Sequence, residues 1–324
     1  MSSSPGARAS KLATIRIGTR PSALAIVQAE YVKSRLAAVM PGKTIEITPI
    51  RTSGDKMKDA SLARVGGKGL FIRELEQALA DGKIDLAVHS MKDLPAVLPD
   101  GFQIVAVPAR EDVRDILVSA AGGDFSALPA GARVGTSSMR RRFQALRKNS
   151  ALEIVALRGN VDTRLKKVSD GTLDAIIIAA AGLNRLGRAA GIKFTILNER
   201  DFIPAGGQGA LAIETVAGGA SAELVVTLEA LDDSRAHYET AAERAFLAML
   251  GASCTTPLGV RATAGGEKLS IRAILFSQDG KESLADELEA PIEFNLSPPI
   301  AAGDGRALAE RMLARGAKAL IADE

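Results

Sequence analysis

Cysteine is almost missing from this chain: the 324 residues hold one, Cys254, so no internal disulfide can form. His89 and His237 are the only histidines, which leaves too few ligands for a closed Cys/His zinc site; no metal is expected, a purely carboxylate site being the one alternative left open. Tryptophan is absent and aromatics make up 3%, so the core must be built from Ala, Val, Leu and Ile. No apolar run approaches a membrane span, and residues 1–13 contain none long enough for a signal peptide. The chain is therefore expected to stay in the cytoplasm, with no membrane partner.

What is present is an ordinary globular balance, 47% hydrophobic and 24% charged, in a chain longer than one core usually serves. Two or three domains are expected. Net charge is only +3, but the cations cluster. Between Gly131 and Lys167, seven arginines (Arg133, Arg140, Arg141, Arg142, Arg147, Arg158, Arg164) and three lysines face only Glu153 and Asp162, a formal +8. Such a segment is either a solvated basic surface or a set of guanidiniums converging on an acidic ligand. A nucleic-acid surface needs stacking aromatics among its cations, and only Phe143 lies there, so no nucleic acid is expected as a partner.

Along the chain, a strand at Thr14 (TIRIG) leads through Thr-Arg-Pro-Ser into a helix with Leu24, Val27 and Tyr31 on one face. A strand from Thr44 follows, then a polar loop from Ser53 to Lys68, which is either a mobile lid or a plain surface loop. A helix with Phe71, Leu75 and Leu79 in a stripe and a strand at Ile84 to Val88 come next. This alternation predicts α/β structure with a largely parallel sheet. The pattern then repeats: Arg16-Ile17-Gly18-Thr19-Arg20 matches Arg133-Val134-Gly135-Thr136-Ser137, and the run from Asp81 to Val88 matches that from Asp170 to Ile177. The expected layout is a flexible tail (1–13), a first α/β domain (14–110 with 206–230), a second (114–203), and a cleft between them. A small α+β domain (234–324) follows, with a helix to Leu250, strands at Leu258 to Thr263 and Leu269 to Phe276, and a helix from Arg306 to Leu320.

Two strand-to-helix turns facing a cleft favour an acidic ligand, because helix N-termini present free N–H groups. Thr19, Arg20 and Ser22 stand in the first turn and Thr136, Ser137, Ser138, Arg140 and Arg141 in the second; for any single hydroxyl, N-capping accounts for its presence better than ligand contact. Gly66-Gly67-Lys68-Gly69 lacks the upstream glycine and the Ser/Thr of a phosphate loop, and Gly207-Gln208-Gly209 leads into a strand rather than a helix, so neither nucleotide motif holds. His89-Ser90-Met91-Lys92-Asp93 follows a strand at its carboxyl end, where open α/β sheets bind ligands. Asp93 is the carboxylate suited to hold a developing positive charge or move a proton, although a solvated Lys92/Asp93 pair fits the position equally well. His89 reads as a hydrogen-bonded structural residue. Cys254, in a tight turn after a helix, is either an inert filler or a nucleophile for a thioether.

Seven segments together resemble the hydroxymethylbilane synthase (porphobilinogen deaminase) family, over Ile15 to about Ala322. They are Ile17-Gly18-Thr19-Arg20, Val65 to Phe71, Ala87 to Asp93, Val134 to Ser138 with its arginines, Leu157-Arg158-Gly159-Asn160-Val161, Ala181 to Gly187, and Gly207-Gln208-Gly209-Ala210. The resemblance implies two similar α/β domains like those of periplasmic binding proteins around a cleft, plus a small α+β C-terminal domain, in a monomer. It implies a dipyrromethane cofactor joined by a thioether to Cys254, and porphobilinogen, a small acidic pyrrole, as substrate. Asp93 then assists loss of ammonia and stabilises the azafulvenium-like species; four additions precede hydrolytic release of a linear tetrapyrrole. Family positions that hold the cofactor fall on Ser90, Lys92, Asp93, Ser138, Arg140, Arg141 and Arg158, and those that hold substrate on Arg20, Ser22, Lys68, Arg164, Arg185 and Gln208. Ala252-Ser253 replaces the Gly-Gly common before the cysteine, and Val113 a common proline. The competing reading is a non-catalytic protein that captures a small anion, which would leave Cys254 and Asp93 without a purpose.

Overall fold

The two matching stretches of sequence become the central strands of two sheets with the same strand order. The computed structural model describes residues 14–56, 72–253, 255–292 and 296–321. In the first lobe, β1 (Thr14–Thr19), β2 (Thr44–Pro49), β3 (Leu86–Ser90), β4 (Phe102–Ala106) and β10 (Leu211–Val216) lie in the order β2-β1-β3-β10-β4. In the second, β5 (Asp115–Ser119), β6 (Arg133–Gly135), β7 (Glu153–Val155), β8 (Ala175–Ala179) and β9 (Phe194–Ile196) lie in the order β7-β6-β8-β5-β9.

The same bonds and packing hold each pair of equivalent strands. Asp85 accepts the Arg16 amide at 2.7 Å, and Asp174 accepts that of Arg133 at 2.6 Å. A Cβ at Gly18 would lie 2.2 Å from Ile84 Cδ1, and one at Gly135 2.6 Å from Leu173 Cδ1, so in both lobes a glycine lets the following loop's aliphatic side chain pack directly on the strand. The sheets are largely parallel, as expected, with one reversed strand in each. β10 runs antiparallel to β3 and β4, and β5 antiparallel to β8 and β9. Each reversed strand arrives from the other lobe, so no helical crossover within its own sheet obliges it to run parallel.

Those two arrivals make two crossings between the lobes, residues 107–114 and 197–210. They run side by side: Glu111 N–H donates to Gly209 O at 3.1 Å and Gln208 Nε2 to Val113 O at 2.8 Å. Gly209 has φ 86°, and a Cβ there would meet Glu111 O at 2.4 Å, so side chain and backbone both exclude any other residue.

Of the helices, α1 (Ala23–Val39) is capped by Ser22, whose hydroxyl accepts from Ala25 N–H. Its buried face is Ala25, Gln28, Ala29, Val32 and Leu36. The apolar face expected from Leu24, Val27 and Tyr31 points elsewhere: Val27 and Tyr31 are 36% and 39% exposed, and Leu24 approaches Gly182 of the second lobe. Small residues face the sheet because they let the helix settle closely on it. The short α2 (Ser53–Lys56) precedes the stretch 57–71, outside the described residues, which includes Lys68 and Phe71; α3 (Arg73–Ala80) then buries Leu75 and Leu79 as expected. In the second lobe, α4 (Met139–Lys148), α5 (Val161–Ser169) and α6 (Ala180–Arg185) follow β6, β7 and β8.

After α7 (Ala222–Glu229), α8 (Ser234–Leu250) starts at an Asp233 cap and stops at Gly251, φ 64°. It packs with α9 (Pro298–Ala314) against the antiparallel β11 (Leu258–Gly265), β12 (Lys268–Phe276) and β13 (Ser283–Pro291), around Tyr238, Phe246, Val260, Ile271, Leu308 and Met312. The sequence reading missed β13, whose SLADELEAP carries its alternation in half-exposed residues. The last helix starts earlier than expected, with Pro298 in its first turn, and breaks at Gly316 before α10 (Ala317–Ile321).

Candidate active site

The carboxyl end of β3 enters a single 3-10 turn, Met91–Asp93, that holds Lys92 half-buried and Asp93 exposed toward the second lobe. His89 lies within β3 and is buried, with Nε2 2.9 Å from Glu214 Oε2 of β10, which satisfies the structural role read from sequence. Ser90 exchanges hydrogen bonds with Gln28 of α1 at 2.8 and 3.2 Å. Arg20, Ser22, Gln28, His89, Ser90 and Asp93 line one recess of about 60 Å3. At its mouth the Arg20 guanidinium meets Asp55 of α2 at 2.5 Å. Burial raises the Asp55 carboxyl, but Arg20 and Thr52 outweigh that and hold it below the ordinary range.

The second lobe answers with the first turn of α4. Ser138 caps that helix, its hydroxyl accepting from Arg141 N–H at 3.4 Å. Arg140 and Arg141 are buried, 4% and 7% exposed, and both turn to Asp115, the first residue of β5. Arg140 Nη1 donates to Asp115 Oδ2 at 2.7 Å and to Ile203 O; Arg141 donates to Asp115 Oδ1 from Nε at 3.0 Å and from Nη2 at 2.8 Å. Gln208, from the second crossing, donates Nε2 to the same Oδ1 at 2.9 Å and accepts from Lys92 Nζ at 3.3 Å. Burial would raise the Asp115 carboxyl; the two guanidiniums, with hydrogen bonds from Arg140 and Gln208, hold it far below the ordinary range instead. Lys92 is pushed down to about 8, first by burial and then by Arg141, against the opposing pull of Asp93 and Asp115.

Arg164 of α5 completes this side: burial and Arg141 lower its guanidinium, while Asp93 acts in the other direction. The chain thus brings Lys92, Asp93, Gln208, Arg140, Arg141 and Arg164 together where the lobes meet. Arg185 donates to Gly209 O at 2.7 Å, at the crossing rather than beside Asp93. Arg158 is exposed. Lys68 and Cys254 lie outside the described residues; next to the cysteine in sequence, Ser253 N–H donates to Thr256 Oγ1 at 2.9 Å.

Sequence reasoning missed four partners: Asp115, Asp55, Gln28 and Glu214. Asp115 had one local signal, an acid opening the wholly buried strand DILVS, where an ionised side chain needs a specific counter-charge.

Two family profiles cover most of the chain. The one described as "Porphobilinogen deaminase, dipyromethane cofactor binding domain" matches residues 15–223, and "Porphobilinogen deaminase, C-terminal domain" matches residues 237–314. A porphobilinogen deaminase of Syntrophus aciditrophicus is 46% identical over 307 residues, spanning 95% of this chain and 97% of its own. That of Chromobacterium violaceum is also 46% identical, over 308 residues with 95% and 97% coverage, and that of Campylobacter fetus is 42% identical over 307 residues with the same coverage.

This chain belongs to the porphobilinogen deaminase family.

Among solved structures, an ancestral cationic amino acid solute binding protein aligns with TM-score 0.43 and 15% identity, over 68% of this chain and 88% of its own. Among the described residues no helix of this deaminase-family chain is long and apolar enough to cross a membrane.

The donors at the lobe junction fit the family's dipyrromethane. A short pyrrole chain with acidic side arms needs cations for its carboxylates and an anion for its ring N–H groups. Lys92, Arg141 and Arg164 supply the first and Asp93 the second. The lowered Lys92 amine is the sign of a buried positive excess that an anion would relieve.

Proposed function

We infer that this chain is a hydroxymethylbilane synthase, which joins four porphobilinogen molecules with loss of ammonia and releases the linear tetrapyrrole by hydrolysis. The observation that carries this reading, beside family membership, is the opposition of Asp93 to a cation cluster contributed by the other lobe. When bound, dipyrromethane supplies the free pyrrole carbon at which the chain grows. Cys254, the single cysteine, is its thioether anchor. Lys92, Arg141 and Arg164 hold carboxylates and Asp93 takes pyrrole N–H groups; Ser90, Ser138, Arg140 and Arg158 complete the cofactor set. Arg140 and Ser138 contribute mainly by fixing Arg141, through Asp115 and the α4 cap. Arg20, Ser22, Lys68, Arg185 and Gln208 serve the incoming substrate.

Asp93 is the group that acts on the reacting atoms. As an anion it stabilises the positive charge that develops when the aminomethyl group leaves, and it accepts the proton released when the new bond forms. The functional domains are 14–110 with 206–230, 114–203 and 234–324, acting as a monomer in the cytoplasm.

Incubating the purified chain with porphobilinogen tests this reading: substrate consumption with a linear tetrapyrrole as product supports it. Anion binding without consumption, even after supply of the cofactor, would favour the capture reading instead.

Lys92 gives a pH signature. Its folded value lies below the ordinary 10.5, so between about 8 and 10.5 the folded chain binds fewer protons than the unfolded one and its stability rises with pH across that window. Ligand binding runs the opposite way, since the amine loses its charge there. Reconstitution of the apoprotein with dipyrromethane is expected to weaken as pH passes about 8, and Lys92→Gln should remove that dependence.

A further inference from the structure

One residue of α1 lines the recess without a part in the condensation as derived above. Of the five buried residues on that helix, Ala25, Ala29, Val32 and Leu36 are apolar; Gln28, 3% exposed, is the fifth. An apolar side chain of that length would serve the packing at least as well, since a buried amide needs hydrogen-bond partners to offset its desolvation. Its partner is Ser90, half-buried at the carboxyl end of β3. Gln28 Nε2 donates to Ser90 Oγ at 2.8 Å, and Ser90 Oγ donates to Gln28 Oε1 at 3.2 Å. Both residues line the recess that also holds Arg20, Ser22 and Asp93.

The two bonds differ in what they leave to a ligand. The amide N–H occupies an acceptor position on Ser90 Oγ and polarises the hydroxyl, which strengthens it as a donor. The longer bond, from the hydroxyl to a neutral carbonyl, is the one a carboxylate can displace, because a hydrogen bond to an ionised acceptor is shorter and roughly twice as strong. Ser22 has the same polarity: its Oγ accepts from Ala25 N–H at 3.3 Å, which leaves its hydroxyl hydrogen for the recess. Arg20, held by Asp55, adds a guanidinium. Arg20, Ser22 and Ser90 are thus all set as donors, opposite in sense to Asp93. The recess, about 60 Å3, exceeds what one water needs.

We propose that Gln28 is a positioning residue for the substrate: it sets the Ser90 hydroxyl as a donor to one carboxylate arm of porphobilinogen, in the recess shared with Arg20 and Ser22. This rests on the synthase reading above and adds the substrate to what Ser90 serves. Before the arm enters, the hydroxyl hydrogen rests on Gln28 Oε1. When it enters, that hydrogen swings to the carboxylate while Gln28 Nε2 keeps its bond to Oγ, and no proton leaves either group. The contact forms on binding and persists through the reaction, so its loss raises KM and leaves kcat nearly unchanged. A carboxamide in place of the carboxylate is the weaker acceptor and competes poorly with Gln28 Oε1, so the pair also favours an ionised arm over a neutral one.

The test measures kcat and KM on holoenzyme carrying Gln28→Met, Ser90→Ala or both, with porphobilinogen and with its two monoamides, each of which has one arm neutral. Met has the length and helix propensity of Gln without the amide, so Gln28→Met should fold. The proposal expects KM to rise about three- to tenfold in Gln28→Met, with kcat within about twofold of the parent, and to rise roughly tenfold or more in Ser90→Ala. The double variant should have a KM within about twofold of that of Ser90→Ala, because Gln28 acts through Ser90. The parent's preference for porphobilinogen over one of the monoamides should shrink in Gln28→Met, a change that a role in helix packing would not produce. The parent's KM and monoamide preference in Gln28→Met, or effects of the two substitutions that multiply, overturn the proposal. If Gln28→Met does not fold, Ser90→Ala decides alone: loss of the monoamide preference supports the proposal and the parent's values defeat it. A parent chain that consumes no porphobilinogen takes the synthase reading down with it, whereas an active parent matched by Gln28→Met defeats only the role of Gln28.

Discussion

Asp93→Ala is expected to lower kcat by roughly 10²- to 10⁴-fold, the range for losing a group that stabilises charge and moves a proton in the transition state. The fold should not register the change. Asp93 is exposed on the Met91–Asp93 turn and, among the described residues, its side chain makes no hydrogen bond, so stability should stay within about 0.5 kcal/mol of the parent. Steady-state kinetics beside a denaturation curve checks both halves. Full activity in the variant would remove Asp93 from the chemistry, and a collapse of stability would make its role structural.

Asp115→Asn should do the reverse, striking the fold first. Its carboxylate is fully buried and receives Arg140, Arg141 and Gln208 together, so neutralising it strands two buried guanidiniums. Removing one partner from a buried pair costs about 3–5 kcal/mol, a large share of a typical domain's stability. The pH dependence has a definite sign. The folded carboxyl lies below its unfolded value, so its contribution is complete above the ordinary carboxylate range and is lost as pH falls toward the depressed folded value. Urea unfolding at pH 7 and at pH 3 should therefore separate parent from variant widely at the first and less at the second. Activity should fall as well, because the same carboxylate orients Arg141 and, through Gln208, Lys92.

The duplicated architecture was legible in sequence because each repeat keeps its own physics. Gly18 and Gly135 stand where a side chain would collide with Ile84 or Leu173, and Asp85 and Asp174 stand where a strand amide must be accepted. The largely parallel direction was legible from the strand–helix alternation, but the reversal of β5 and β10 was not, since their orientation depends on the lobe from which the chain arrives. The packing face of α1 was misread because periodicity weighs Leu24, Val27 and Tyr31 above alanine, while close helix-on-sheet packing selects Ala25 and Ala29. At the site, the cation cluster and the Lys92-Asp93 pair could be seen as residue types in a pattern. Their counter-charge could not: Asp115 is 25 residues from Arg140 in the chain and meets it only after the first crossing has turned into β5. Ser22 and Ser138 cap their helices, the bland role that single hydroxyls most often have, and their place beside the cations follows from those helices.

The intact mass of the purified chain, taken beside that of Cys254→Ser, tests the central claim most directly. The account predicts an excess equal to two linked pyrrole units in the parent and none in the variant. A bare mass in the parent, with no consumption of porphobilinogen after cofactor reconstitution, would contradict it.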